Sequence, residues 1–303
     1  MVKSSKEFYS EKPYNFYRSV TSKGSLFISS PNEMKLKGVL EMMKLGIIAK
    51  PTEESFQKAK QKGLDFLELC INEGHDVEEF YRNRQHLVKW KNEYGIEVGS
   101  IGRWKSIRID QQGQVIEEEL EKCYKLIDVA SELECTNFVS GCNFVDELSY
   151  YENCSAAIRF FSLLIDYAKP KGVNISSYNC RKVNFIHNPE AWKIIHGHVK
   201  ELGIKFDPSH SRYFGGDYLQ ETLDWGDRFN HVHLKGSLIV NGQRVDDPPA
   251  GLDQTDWKTF ISILRVKGYT GGLSIEPHSP VWTGEIGEKG IDYTINYMKK
   301  LIF

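Results

Sequence analysis

A short apolar, β-branched run that ends in polar residues and then gives way to a stretch of helical periodicity occurs eight times along this 303-residue chain. The runs are KLGIIAK (44–50), LDFLELCI (64–71), IEVGSIG (96–102), TNFVSGCN (136–143), VNISSYNC (173–180), IKFDPSH (204–210), FNHVHLKG (229–236) and GLSIEPH (272–278). Their starts lie about 20 to 40 residues apart, the interval of successive strand–helix units. Between them, residues 52–62 carry Phe56, Ala59 and Lys60 at helical intervals behind Thr52 as N-cap, with Ser55 in the third helical position. Residues 117–133 place Leu120, Tyr124, Ile127, Ala130 and Leu133 at three- and four-residue steps. Residues 189–202 open with Asn188 as cap and Pro189 in the first turn, and Trp192, Ile195 and Val199 form the apolar stripe. Gly63, Gly95, Gly172, Gly203 and Gly271 each stand just before a strand. There a glycine accepts the left-handed dihedrals of a helix end without a Cβ penalty.

Alternating strands and helices imply a parallel sheet, either open or closed. An open doubly wound sheet announces itself by a glycine-rich phosphate loop after its first strand. Ala49-Lys50-Pro51-Thr52 is no such loop. The pattern therefore predicts an α/β chain with a (β/α)8 barrel over residues 44–303, preceded by an N-terminal extension, residues 1–43. The extension is rich in Ser, Lys and Tyr, and Phe27-Ile28 with Leu36 to Met43 suggest a hairpin or short helix. It is expected to lie across the barrel or against a partner subunit, which leaves room for a homo-oligomer.

Thirty-nine Lys and Arg against 41 Asp and Glu give a net charge of −2, without the basic surplus that a phosphate backbone requires, so nucleic acid is not an expected partner. The six cysteines form no CxxC pair, and several sit in apolar runs, as in a reduced, cytosolic enzyme. No signal-like leader and no apolar run of about 18 residues occurs, so the expected location is the cytoplasm, with no membrane partner.

In such a barrel, chemistry gathers at the C-terminal ends of the strands. Glu68 ends the second run, Asn143 the fourth, and Tyr178 and Asn179 the fifth. The last three are richest: Asp207 and His210, then His231, His233 and Lys235, then Glu276 and His278. Alternation puts His231, His233 and Lys235 on one face, and likewise Glu276 and His278. Asp207, His233 and Glu276 should then meet at the mouth, a mixed carboxylate–imidazole set that suits Mn²⁺, Mg²⁺, Co²⁺, Zn²⁺ or Fe²⁺. The alternative is an ion pair of the two acids with Lys235 or Lys205. His231, one pleat deeper, reads as a residue that supports the site.

DPSH, HVHLKG and SIEPH at the ends of consecutive strands resemble the sugar phosphate isomerase/epimerase family, within the xylose-isomerase-like TIM barrels of the AP endonuclease 2-like superfamily, over about residues 44–300. The resemblance implies one divalent metal ion on Asp207, His233 and Glu276, Glu276 serving also as the base, and His210 as a substrate contact. Where that family often reads Glu-Asn-His on strand five, this chain reads Tyr178-Asn179-Cys180. The fourth ligand is then missing, and His210 or water fills its place.

The expected function is a sugar isomerase or epimerase that removes a proton beside a carbonyl. Glu276 is the base, and His210, Lys235 or Tyr178 returns the proton or polarises the carbonyl. The small-molecule sugar would contact Glu68, Trp104, Asn143, Asn179, His278 and Trp282, the two indoles stacking on the ring. Loss of a β-leaving group from the same enediolate would instead make a dehydratase or lyase of an oxidised sugar or keto-glycoside. A sugar-binding barrel without catalysis is a further alternative. A phosphodiesterase of the endonuclease IV type is disfavoured, because the early strands offer no histidines.

Overall fold

The computed structural model describes residues 42–303. The hairpin or helix expected within 1–43, and the contact expected of that extension, lie outside the described residues.

Each of the eight runs forms one strand of a closed parallel barrel. The strands are β1 (Lys44–Ala49), β2 (Phe66–Cys70), β3 (Glu97–Gly102), β4 (Asn137–Ser140), β5 (Asn174–Tyr178), β6 (Gly203–Phe206), β7 (Phe229–Leu234) and β10 (Gly272–Ile275). Around the barrel the order is β1, β10, β7, β6, β5, β4, β3, β2. The strands are shorter than the apolar runs. Residues 141–143, 179–180, 207–210 and 276–278 have left the ladder and form the rim where a site can be built.

The helices α1 (Glu53–Lys62), α2 (Val77–Arg82), α3 (Arg84–Tyr94), α4 (Glu117–Glu132), α5 (Tyr150–Ala168), α6 (Pro189–His198), α7 (Pro208–Tyr213), α8 (Tyr218–Trp225), α9 (Trp257–Val266) and α10 (Gly284–Lys299) complete the described fold. Asn188 caps α6 by accepting from the Ala191 amide at 3.1 Å, and Asp256 caps α9 through Thr259. Thr52 behaves differently from its expected role. Its hydroxyl meets Ser55 Oγ at 3.1 Å rather than a backbone amide, so α1 starts without a side-chain cap.

Gly63, Gly95 and Gly172 do take left-handed dihedrals, with φ of 63°, 65° and 71°. Gly203 and Gly271 do not, and the reason they are glycine is space. A Cβ at Gly203 would come within 2.0 Å of Asn230 Nδ2, and one at Gly271 within 2.7 Å of the Tyr269 ring. A two-stranded hairpin, β8 (Leu238–Val240) with β9 (Gln243–Asp246), follows β7, an element the strand pattern did not include. Its turn is Asn241-Gly242, φ 49° and 75°, the pair of positive dihedrals that matches the twist of a two-residue hairpin.

The barrel interior is layered. At the bottom the Phe66 ring fills the space left by three glycines: a Cβ at Gly46, Gly99 or Gly272 would lie 2.4, 2.5 or 2.8 Å from it. On that plug stands His231, edge-on at 5.8 Å between ring centroids. Outside the strands, Trp192 of α6 and Phe260 of α9 pack on Phe206 and are fully buried, each contributing roughly 2–3 kcal/mol by burial. All six cysteines are free thiols, four of them buried. Among the described residues no helix is long and apolar enough to cross a membrane.

Candidate active site

Above the Phe66 plug lies a buried hydrogen-bonded layer. Glu68 of β2 accepts from His231 Nε2 at 2.8 Å and from His233 Nε2 at 2.8 Å, and none of the three has more than a trace of exposed surface. An ionised carboxylate can only accept, so both Nε2 atoms carry protons and both Nδ1 atoms point elsewhere. Burial pulls the Glu68 carboxyl upward, but the two imidazoles outweigh it and hold Glu68 well below the usual carboxylate range. Glu68, expected as a sugar contact, therefore lies beneath the histidines with its oxygens engaged.

One layer higher, Asp207 Oδ2, His233 Nδ1 and Glu276 Oε2 converge, all within 4.8 Å of one another. His233 Nδ1 is 2.9 Å from Glu276 Oε2 and 4.0 Å from Asp207 Oδ2. Lys235 Nζ lies 3.1 Å from Asp207 Oδ2, 3.5 Å from Glu276 Oε2 and 3.0 Å from His210 Nε2. Since the ammonium can only donate, His210 Nε2 is the acceptor; burial, opposed by Asp207, pushes this imidazole down to about 3. Burial disfavours ionised Asp207 and Glu276, yet Lys235 first, with His210 for Asp207 and His233 for Glu276, holds both carboxyls well below their ordinary values. Asn179 fixes Asp207 from the next strand. Its amide donates to the Asp207 carbonyl and accepts from the Asp207 N–H, both at 2.9 Å.

Several other residues expected at the mouth have partners of their own. Tyr178, expected to carry a proton, is fully buried, with its ring stacked on Trp104 at 5.5 Å and its hydroxyl 3.4 Å from the Lys182 carbonyl. It supports a wall of the mouth. Gly141 lacks a side chain because a Cβ there would come 2.4 Å from that ring. Trp104 keeps part of its surface exposed. Asn143, expected to touch sugar, instead holds the 108–109 backbone, accepting from both amides and donating to the Ile109 carbonyl at 2.9 Å. His278 turns to the rim, where Nδ1 meets Asp247 Oδ2 at 2.8 Å and half of the side chain is exposed. It lines a small pocket with Glu276, Asp247, Pro248 and Trp282.

Two groups escaped the sequence reading. Lys205 appeared there only as a salt-bridge partner, yet its side chain is 2% exposed and its Nζ lies 4.0 Å from Asp207 Oδ2. Its position two residues before Asp207, on the same strand face, is the signal that could have placed it. Cys70, at the end of β2, is near enough to Glu68 and Glu276 to be raised by burial and by both charges.

The residues present fit a divalent cation. Asp207 Oδ2 is buried and makes no well-aligned hydrogen bond, its nearest cation being Lys235 at 3.1 Å, and it offers one ligand atom alongside His233 Nδ1 and Glu276 Oε2, a mixed carboxylate–imidazole set of the kind that holds a divalent ion. Glu68 on the far nitrogen of His233 is the kind of outer partner that orients ligating imidazoles.

The pattern of the family described as xylose isomerase-like TIM barrel matches residues 56–301. The uncharacterized protein YfiH of Bacillus subtilis (strain 168) is 27% identical over 173 residues, 50% of this chain and 55% of that protein, so the chain spans about half the length of the relative it matches. Among solved structures, D-allulose 3-epimerase from Methylomonas sp. superposes with a TM-score of 0.68 at 17% identity, over 86% of this chain and 98% of that one. The 3-keto-D-glucoside 4-epimerase YcjR from E. coli gives 0.64 at 16% identity, over 85% and 99%. A xylose isomerase domain protein from Planctomyces limnophilus gives 0.66 at 16%, over 86% and 96%. At such identities the likeness is one of fold, and together with the sequence match it makes the chain a member of the xylose isomerase-like TIM-barrel family.

Proposed function

We propose that the protein is a divalent-metal-dependent enzyme that removes and returns a proton beside the carbonyl of a keto-sugar, an isomerase or epimerase. The observation that carries this reading is the convergence of Asp207 Oδ2, His233 Nδ1 and Glu276 Oε2 at the barrel mouth, all buried or nearly so and within 4.8 Å of one another. When bound there, a divalent ion supplies Lewis-acid stabilisation of the negative charge that develops on adjacent substrate oxygens. The epimerases of like fold act on keto-sugars by their names, which agrees with that chemistry.

The chain's own residues divide the remaining work. Glu276, a fifth exposed and held in its ionised form, faces the mouth and takes the proton. Lys235, within 3.5 Å of Glu276 and donating to His210, supplies a positive charge beside the forming enediolate and a proton to return. Trp104, braced by Tyr178, gives a flat wall for the sugar face. Asn179 and Glu68 hold Asp207 and His233 in place.

One observation favours a second outcome of the same step. β5 contributes Tyr178, turned away, so no second carboxylate faces Glu276 from that strand. A site with one carboxylate base suits elimination, with Lys235 protonating the leaving group, as well as it suits transfer to a neighbouring carbon. The test is deuterium wash-in: the Mn²⁺-loaded protein with a panel of ketoses and keto-sugar acids in D2O, followed by NMR. Exchange lost in Glu276→Gln supports the reading, and the product distinguishes isomer, epimer and alkene-derived keto-acid. Absence of exchange on every member, with no stabilisation by divalent ions, points to a sugar-binding barrel instead.

A further inference from the structure

Among the described residues, Lys205 is the one lysine beside Asp207 that the proposed reaction leaves without a task. It belongs to β6, pairs in register with Tyr178 on one side and His231 on the other, and reaches upward from the lower layer. Among the described residues its Nζ makes no hydrogen bond, and the nearest carboxylate oxygen, Asp207 Oδ2 at 4.0 Å, is already held more closely by Lys235 at 3.1 Å. A buried ammonium with no close acceptor has lost its hydration without replacement, a costly state unless a ligand completes it.

Counting charges points the same way. With both imidazoles neutral, as a ligating His233 must be, Glu68, Asp207 and Glu276 carry three negative charges against the two positive ones of Lys235 and Lys205. A divalent ion in the proposed site then leaves the floor with a positive surplus in a poorly hydrated pocket. A neutral sugar does nothing to relieve it, and an anionic one does.

We infer that Lys205 receives a carboxylate of the substrate, so that the site selects a keto-sugar acid over a neutral ketose of the same size. This inference rests on the reading of the mouth as a keto-sugar site. A single buried ammonium matches a flat, singly charged carboxylate. Phosphate recognition draws on several donors at once, and the helix N-terminus nearest Lys205, that of α7, is taken by its own cap, Asp207 Oδ1 accepting from the Ser209 amide at 2.9 Å. Tyr178, its partner on β5, turns its ring to Trp104 and offers the ammonium no acceptor.

The experiment is calorimetric titration of the Mn²⁺-loaded full-length protein with matched ligands: D-fructose and D-tagatose, the acids D-fructuronate and D-tagaturonate, and D-fructose 6-phosphate. The acids should bind at least about tenfold more tightly than the ketoses, as charge-assisted hydrogen bonding implies. In Lys205→Met that ratio should fall to near one, and Lys205→Arg should restore part of it. Far-ultraviolet circular dichroism checks that both variants fold; if Lys205→Met does not, the wild-type ratio and Lys205→Arg decide. Acids that bind no better than ketoses overturn the inference. So does an equal loss of acid and ketose affinity in Lys205→Met, or a Lys205-dependent preference for the phosphate. Exchange on ketoses without acid preference keeps the proposed reaction and removes this inference, whereas Lys205-dependent acid binding without exchange does the reverse.

Discussion

Glu68 on β2 and His233 on β7 lie 165 residues apart in sequence and meet inside the barrel at 2.8 Å, the carboxylate accepting from the ring Nε2. That contact decides which nitrogen of His233 is free. With a proton held on Nε2, Nδ1 is the nitrogen turned to Asp207 and Glu276, and a core hydrogen bond sets the orientation of the ring one layer above it.

Glu68→Gln tests this directly. The amide offers one acceptor and one NH2 donor, so it cannot serve both imidazole N–H groups, and His233 loses its fixed tautomer. Affinity for Mn²⁺ is expected to fall about 10- to 100-fold, the usual cost of removing an outer partner of a ligating histidine. Calorimetric titration checks it, and an unchanged affinity removes Glu68 from the positioning role.

Divalent ions should stabilise the folded state measurably. At a hundred times the dissociation constant, binding adds about 2.7 kcal/mol, which raises the melting temperature by roughly 5 °C or more in a chain of this size. Asp207→Asn removes the anionic oxygen of the ligand set and should abolish the increment, while chelator should leave that variant's melting curve unmoved. Differential scanning fluorimetry with and without Mn²⁺ reads both. A full-size shift in Asp207→Asn would place the ion elsewhere.

Tyr178 and Trp104 should separate cleanly. The Tyr178 hydroxyl faces the Lys182 carbonyl and not the mouth, so Tyr178→Phe keeps the stack and should change the wash-in rate by less than about threefold. Trp104→Ala removes the platform itself and should raise KM, with a smaller effect on kcat, since stacking of this kind holds ground state and transition state alike. A collapse of kcat in Tyr178→Phe would return the phenol to the chemistry.

The contrast between Tyr178 and Glu276 shows what the sequence could and could not reveal. Strand positions were legible because buried parallel strands are apolar runs of fixed spacing, and each of the eight reappears as a barrel strand. Asp207, His233 and Glu276 were legible because charged groups inside a barrel need a reason to be there. The direction of a rim side chain is set by packing instead. Tyr178 turns to Trp104 because Gly141 leaves room, and Asn143 turns to the 108–109 amides; neither choice is written in a strand pattern. Glu68 was seen as facing the site, but its depth follows from partners on β7 that periodicity alone does not pair with it. The β8–β9 hairpin was missed although its Asn-Gly turn, between alternating residues, is a strong local signal.

Acid sensitivity should arise in part away from the mouth. His196 of α6 is fully buried: Nδ1 donates to the Leu202 carbonyl at 3.0 Å, and Nε2 accepts from the Ser177 hydroxyl at 2.9 Å. Burial lowers its pKa to about 4, below the ordinary value of 6.5. Between those values the unfolded chain takes up a proton that the folded one refuses, so acid favours unfolding. The contribution of His196 is complete above pH 6.5 and is lost as pH falls toward 4, a change on the order of 3 kcal/mol. His196→Gln should be less stable than wild type at pH 7.5, because its amide cannot reproduce both bonds in place, yet lose less between pH 6.5 and 4.5. Urea midpoints across that range measure the two slopes. Parallel slopes would mean that His196 is protonated in the folded protein as readily as in the unfolded chain, and that the bond to Ser177 does not keep the ring neutral.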